Sequence, residues 1–254
     1  CDARVWSYFN RFADGGVDDY LPWILRGEGE PMPLWFKAGK KLSADDLKWM
    51  MRDHFEGTPL DMTQDIGAGP FDVPYRWRPM SYTVDSVEYT HERAIATQQT
   101  GFSFVSSMNS SRPDAMKGIL WFGVDDANTC VYVPVFNSTR TVPYQLSEGN
   151  GDMYNLSWDA MFWVNNYVAN QAYNRYSQMI PDIRRVQSGL ETAMDKAVAE
   201  EQKRIEGKSY AEAQADLQKL TDYWTEKSTR DYKSLGDYLF VKYLDGNIKK
   251  EKDG

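Results

Sequence analysis

The chain has 254 residues, 42% of them hydrophobic and 14% aromatic, which is enough apolar material for a real core in one or two domains. Acidic residues outnumber basic ones 37 to 29 and the net charge is -8, with no basic stripe ahead of the short Lys249-Lys250-Glu251-Lys252 stretch, so nucleic acid is argued against as a partner. The two cysteines, Cys1 and Cys130, make neither a disulfide framework nor a thiolate metal site, although one bridge stays open, and no apolar run approaches the roughly 18 residues of a membrane helix.

Val5, Trp6, Phe9 and Phe12 fall at helical spacing, so residues 1–12 read as a short amphipathic helix ended by Asp14-Gly15-Gly16. Pro22, Pro31 and Pro33 punctuate irregular chain. Ser43, followed by Asp45 and Asp46, is predicted to cap a helix running to about Phe55, with Gly57 and Pro59 stopping it. From Thr58 to Tyr82 neither regular period holds, and the bulky side chains there suggest a packed loop. Strands are predicted over 94–108, 118–124 and 129–136, the outline of an antiparallel meander. Beyond Ser157 the period is helical. One helix is expected to run to Tyr176, another to open with Pro181 in its first turn and reach about Ile205, and one or two more to span Ser209 to Tyr243, with Gly207 and Gly236 as breaks. The expected class is α+β, divided as 1–150 with the strands and the long loop, 151–248 as a helical region packing on it, and 249–254 as a frayed tail.

Cys1 is the first chemical candidate, because a terminal cysteine can attack a carbonyl while its own α-amine takes the proton. The helical spacing behind it counts against that role, since such a nucleophile needs its amine and thiol held rigidly; the other reading is a boundary inside a longer protein. The densest polar cluster is Arg52-Asp53-His54-Phe55-Glu56-Gly57-Thr58, followed by Asp61. Arg52 and His54 also suit a helix C-terminus, where cations meet the negative end of the dipole. His54 and His91 are the only histidines, which excludes a histidine-dominated zinc site, and no nucleophile-elbow motif supports a Ser-His-Asp triad. Arg93, ahead of the first long strand, and Asn109, just past it, are placed to bind a substrate carboxylate or an oxyanion, or to serve as turn formers. Cys130 is expected to pack in a strand. The aromatic series from Tyr154 to Tyr176 has the spacing of a core or of a contact with another copy of this chain.

At Lys41-Leu42-Ser43-Ala44-Asp45-Asp46 and Met51-Arg52-Asp53-His54-Phe55-Glu56-Gly57-Thr58-Pro59-Leu60-Asp61 the chain resembles the dipeptidases of peptidase family C69, formerly U34. The resemblance continues in Ala3-Arg4-Val5-Trp6, Glu92-Arg93-Ala94-Ile95, Phe102-Ser103-Phe104-Val105, Gly118-Ile119-Leu120-Trp121-Phe122-Gly123, Tyr132-Val133-Pro134-Val135-Phe136 and Phe162-Trp163-Val164-Asn165-Asn166. It implies a cysteine N-terminal nucleophile hydrolase with an αββα sandwich, of which this chain resembles the C-terminal half, acting on dipeptides or short peptides without metal or organic cofactor. The family's opening Cys-Thr and its downstream arginine, aspartate and oxyanion asparagine have no match here. Two accounts follow: the thiol sits on a partner chain or N-terminal half of the same precursor, or Cys1 is a divergent nucleophile. Arg52 or Arg93 would then hold a substrate carboxylate, Asp53 or Asp61 an ammonium, with His54 and Asn109 as further binding candidates. An acyl-amino-acid or bile-salt-like amide hydrolase, which would show a larger apolar pocket, and a noncatalytic accessory subunit are the alternatives. The aromatic content and the missing initiator favour a periplasmic or secreted protein over a cytoplasmic one.

Overall fold

The computed structural model describes residues 2–76 and 80–250. The architecture is α+β, with helices first, antiparallel strands in the middle and long helices at the end. The chain divides into two compact units, Cys1–Thr97 and Gln98–Gly254.

In the first unit, helix α1 (Asp2–Phe12) buries Ala3, Trp6, Ser7 and Phe12 along one stripe. Trp6 is fully enclosed, and its indole N–H donates to the Val17 carbonyl at 3.0 Å, so its one polar atom is satisfied where the chain turns back. Helix α2 (Leu21–Arg26) carries a proline in its first turn and ends on Gly27 at φ 68°, the left-handed geometry that glycine adopts without penalty. Helix α3 (Ala44–Met50) starts where Ser43 places it, in a full capping box: the Asp46 N–H donates to Ser43 Oγ and the Ser43 N–H to Asp46 Oδ2. Its end differs from expectation. The helix stops at Met50, not Phe55, because Asp53 turns toward α1 and Phe55, fully buried, takes φ 65°. Phe55 packs with Ala3, Met62 and Ala94, flanked by Ile24 and Leu60.

A hairpin of β1 (Ser81–Val84) and β2 (Val87–Thr90) falls where no strand was predicted. Its two-residue turn, Asp85-Ser86, has φ 50° and 66°, the twist that two-residue hairpins favour. All eight strand residues are exposed, so the hairpin lacks the alternation by which a strand is recognised in sequence.

The second unit holds the meander: β3 (Phe102–Met108), β4 (Gly118–Val124) and β5 (Val133–Phe136), antiparallel in that order. The first strand begins eight residues later than predicted, since Ala94 and Ala96 belong to the core of the first unit. Register sets the two faces. Val105, Ile119, Trp121 and Phe136 are buried on one, while Phe102, Phe104, Leu120, Phe122 and Val135 share the other. That second face is open: Phe102 is 61% exposed and Phe104 49%.

Helices α4 (Met161–Ala172), α5 (Tyr176–Arg204) and α6 (Tyr210–Lys242) pack with the strands. The Thr221 hydroxyl donates to the Pro134 carbonyl at 2.9 Å and the Tyr232 hydroxyl to the Thr129 carbonyl at 2.8 Å, fixing α6 to β5 and the turn before it. Two helical expectations need correction. Pro181 lies inside α5, which starts five residues earlier at Tyr176. Gly236 does not break α6; the helix runs through it, and a Cβ there would lie 2.3 Å from Tyr167 Cε1, so the glycine allows α4 and α6 to approach. Gly207, at φ 76°, does separate α5 from α6.

Candidate functional site

The polar centre of the first unit forms around Asp53. On α1, Ser7 and Arg11 are four residues apart and share a face. The Ser7 hydroxyl donates to Asp53 Oδ2 at 2.6 Å, and Arg11 donates to Oδ1 through Nε at 3.1 Å and Nη2 at 2.7 Å. Arg11 Nη2 also reaches the Glu56 carbonyl, and its guanidinium lies 4.5 Å from the centre of the Trp49 ring. The Asp53 backbone carbonyl accepts from the Ala96 N–H at 3.1 Å. A fully buried carboxylate is thus matched by a cation and a hydroxyl, the arrangement that makes its burial tolerable.

His54 follows, equally buried, with its ring edge-on to Tyr75 at 5.8 Å. Its Nδ1 is 3.4 Å from Glu56 Oε1, and its backbone N–H donates to Glu56 Oε2 at 2.7 Å. Burial acts to raise the Glu56 carboxyl, but the contacts with His54 outweigh it and hold the group below the usual glutamate range. Beyond it, Asp61 accepts from the Gly57 N–H and from both the N–H and the hydroxyl of Thr63. The turn 53–63 is therefore held by its own side chains, and its chemistry-bearing groups converge on α1 and on one another.

Of the candidates read from sequence, Arg52, Asp53 and His54 stand together in this turn, Arg52 half-buried. Arg93 is in the same unit, exposed, on the segment after β2. Asn109 belongs to the second unit. It is exposed at the end of β3, its Oδ1 accepting from the Ser111 N–H at 2.8 Å, and so shapes the turn to β4. Cys1 lies outside the described residues. Cys130 is fully buried, its thiol 3.7 Å from the Ala127 carbonyl, and a Cβ on Gly123 would come within 2.7 Å of its sulfur. Ser7 and Arg11 were missed by sequence reasoning, and their i, i+4 spacing opposite a distant aspartate gave a weak signal at best.

The second unit contains a cavity of about 470 Å³ at one end of the open sheet face. Phe102, Phe122, Val124, Leu146, Phe162 and Trp163 give it an apolar lining. The polar groups around it are largely spent on each other: Asp152 accepts from the N–H groups of Tyr154 and Asn155 and from the Asn155 amide, and the Trp163 indole donates to the Asp152 carbonyl. Those bonds, led by the Asn155 side chain, hold the Asp152 carboxyl below the usual range, so it stays ionised. Among the described residues no cluster of three or more His, Cys, Asp or Glu is arranged to hold a metal ion, and no helix is long and apolar enough to cross a membrane.

The sequence model of peptidase family C69 matches residues 1–189. A probable dipeptidase of Latilactobacillus sakei is 25% identical over 137 residues, covering 54% of this chain and 24% of the relative. A dipeptidase of Bifidobacterium longum is 23% identical over 175 residues, 65% of this chain and 28% of the relative, and a probable dipeptidase A of Streptococcus pyogenes is 23% identical over 191 residues, 74% and 36%. The chain thus spans about a quarter to a third of the length of the curated relatives it matches. With three quarters of its residues inside the family match, the chain belongs to peptidase family C69.

Proposed function

We propose that this chain is part of a cysteine-type dipeptidase and supplies the frame of the active site rather than the thiol. The match of residues 1–189 to a peptidase family whose matched relatives are named dipeptidases carries this reading. Two observations support the division of labour. Cys130 is buried in packing contacts that give no access to a carbonyl. The open face bearing Phe102, Phe104 and Phe122 is apolar surface of the kind that a further layer of the same enzyme would cover.

In this mechanism the thiol of an amino-terminal cysteine gives its proton to its own α-amine and attacks the peptide carbonyl. The tetrahedral oxyanion collapses as the amine returns the proton to the leaving nitrogen, and water then releases the acyl group. The substrate carboxylate is assigned to Arg52 or Arg93. An ammonium at Asp53 has to compete with Ser7 and Arg11, which already engage both carboxylate oxygens, so Asp53 acts by holding Arg52 and His54 in place.

The test is hydrolysis of a panel of dipeptides by the complete protein, with and without prior alkylation. Turnover that alkylation abolishes supports the reading; turnover indifferent to thiol modification removes it. A second reading, hydrolysis of amides with a large apolar acyl group, is favoured by the cavity of the second unit. It predicts faster turnover of long-chain acyl-amino acids than of dipeptides with a free ammonium.

A further inference from the structure

The end of β4 is held by three bonds, one to the chain just before β3 and two to α4, and the residues involved leave two acceptors over. The Asp125 N–H donates to the Gly101 carbonyl at 2.8 Å, Asn165 Nδ2 to the Val124 carbonyl at 3.0 Å, and Asn166 Nδ2 to Asp125 Oδ1 at 3.0 Å. Asp125 and Asn165 are almost wholly buried, at 2% and 1% exposure, yet Asp125 Oδ2 and Asn165 Oδ1 have no hydrogen-bond partner among the described residues. Asp125 also holds φ 70°, a left-handed conformation that costs a non-glycine residue and persists where surrounding bonds fix it. Each orphaned buried acceptor is expensive, and a proton on Asp125 Oδ2 turns that one into a donor.

We propose that the Asp125 carboxyl is a proton-operated latch that ties the end of β4 to α4 and holds together the two walls of the apolar cavity. Gly101 and Val124, which line one wall, are bonded by the Asp125 N–H and by Asn165; Phe162 and Trp163, on the other, stand on the helix that carries Asn165 and Asn166. The charged group that acts on Asp125 within its own turn is Asp126, and the group facing both from the end of α4 is the Tyr173 hydroxyl, which burial and the two carboxylates push up and keep protonated. Arg184, on α5, is committed to Asn128 and Gln187. Burial, opposed by the Asn166 bond and reinforced by Asp126, pushes the Asp125 carboxyl up to about 7. The latch therefore contributes fully below the ordinary aspartate range near 4 and is lost as pH rises through about 7.

The experiment is a carbon-13 titration of the aspartate carboxyl groups in the full chain, with Asp125→Asn to identify the signal. The expected result is one carboxyl titrating near neutrality and absent from the variant, with the Val124 methyl and Trp163 indole signals moving at the same midpoint in the wild type only. The folding equilibrium of the variant relative to wild type should then rise about thirtyfold from pH 5.5 to 8. An Asp125 carboxyl titrating near 4 overturns the proposal, and so do Val124 and Trp163 signals that stay flat while it titrates near 7. If the variant fails to fold at every pH, backbone-linked assignment of the wild-type carboxyl gives the same decision alone.

Discussion

Arg11 and Asp53, 42 positions apart, meet at 2.7 Å in the first unit, and this pair fixes the turn that carries Arg52 and His54 to the helix that opens the chain. The carboxylate side chain is fully buried and the guanidinium 19% exposed, so the pair matters most as the cover for the buried Asp53 charge, which is costly without Arg11. Arg11→Ala is expected to destabilise the first unit by about 3 kcal/mol. Equilibrium denaturation of the single variant checks this, and Arg11→Ala combined with Asp53→Ala should cost less than the sum of the two.

At Gly236 two effects oppose each other. Alanine gains roughly 1 kcal/mol of helix propensity over glycine, but its Cβ would lie 2.3 Å from Tyr167 Cε1. The close contact wins, and Gly236→Ala should be destabilising by about 1–3 kcal/mol. Thermal unfolding checks the sign, and pairing it with Tyr167→Leu, which removes the contacted ring, should recover stability.

The Asp46 carboxyl is held down to about 2, first by the Lys40 ammonium and then by the Ser43 N–H and hydroxyl. A lowered carboxyl adds stability above its ordinary value near 4 and loses it as pH falls toward 2. In Asp46→Asn the acid limb of the stability curve should be shallower between pH 4 and pH 2, as followed by circular dichroism.

Cys130 should resist alkylation in the folded chain and react only after denaturation, because its thiol is enclosed by Gly123, Tyr132 and the Ala127 carbonyl. Peptide mapping after iodoacetamide treatment with and without denaturant reads this directly. Rapid modification of Cys130 in the native protein would contradict its burial.

For substrate recognition, Arg52→Ala should raise KM for dipeptides with kcat little changed if Arg52 holds the terminal carboxylate, and Arg93→Ala should do the same if the role is its own. Comparison with dipeptide amides, which lack that carboxylate, assigns the contact to one or neither.

Much of the fold could be read from residue chemistry. Ser43 and Ser209 signal their capping boxes through an acidic residue three positions on, and the alternation from Phe102 onward and the apolar run of β4 mark the strands. What escaped depended on partners distant in sequence. The end of α3 is set by Ser7 and Arg11 pulling on Asp53, the hairpin at Ser81–Thr90 has no buried face to print a pattern, and Gly236 reads as a breaker until the Tyr167 ring is placed against it. The same holds for the site. Arg52, Asp53 and His54 stood out as a polar cluster, but that Asp53 is consumed by α1 follows only from the fold, and Asp125, the second residue of an ordinary-looking Val-Asp-Asp turn, carried no sign of its unmet acceptor.

The central claim is that this chain frames the active site of an enzyme whose thiol is an amino-terminal cysteine. Mass mapping of the complete protein after iodoacetamide, with and without saturating dipeptide, tests it most directly. The account predicts one substrate-protected cysteine, at an amino terminus other than Cys1, whose modification abolishes turnover; protection of Cys1 or Cys130, or full activity with every thiol alkylated, would contradict it.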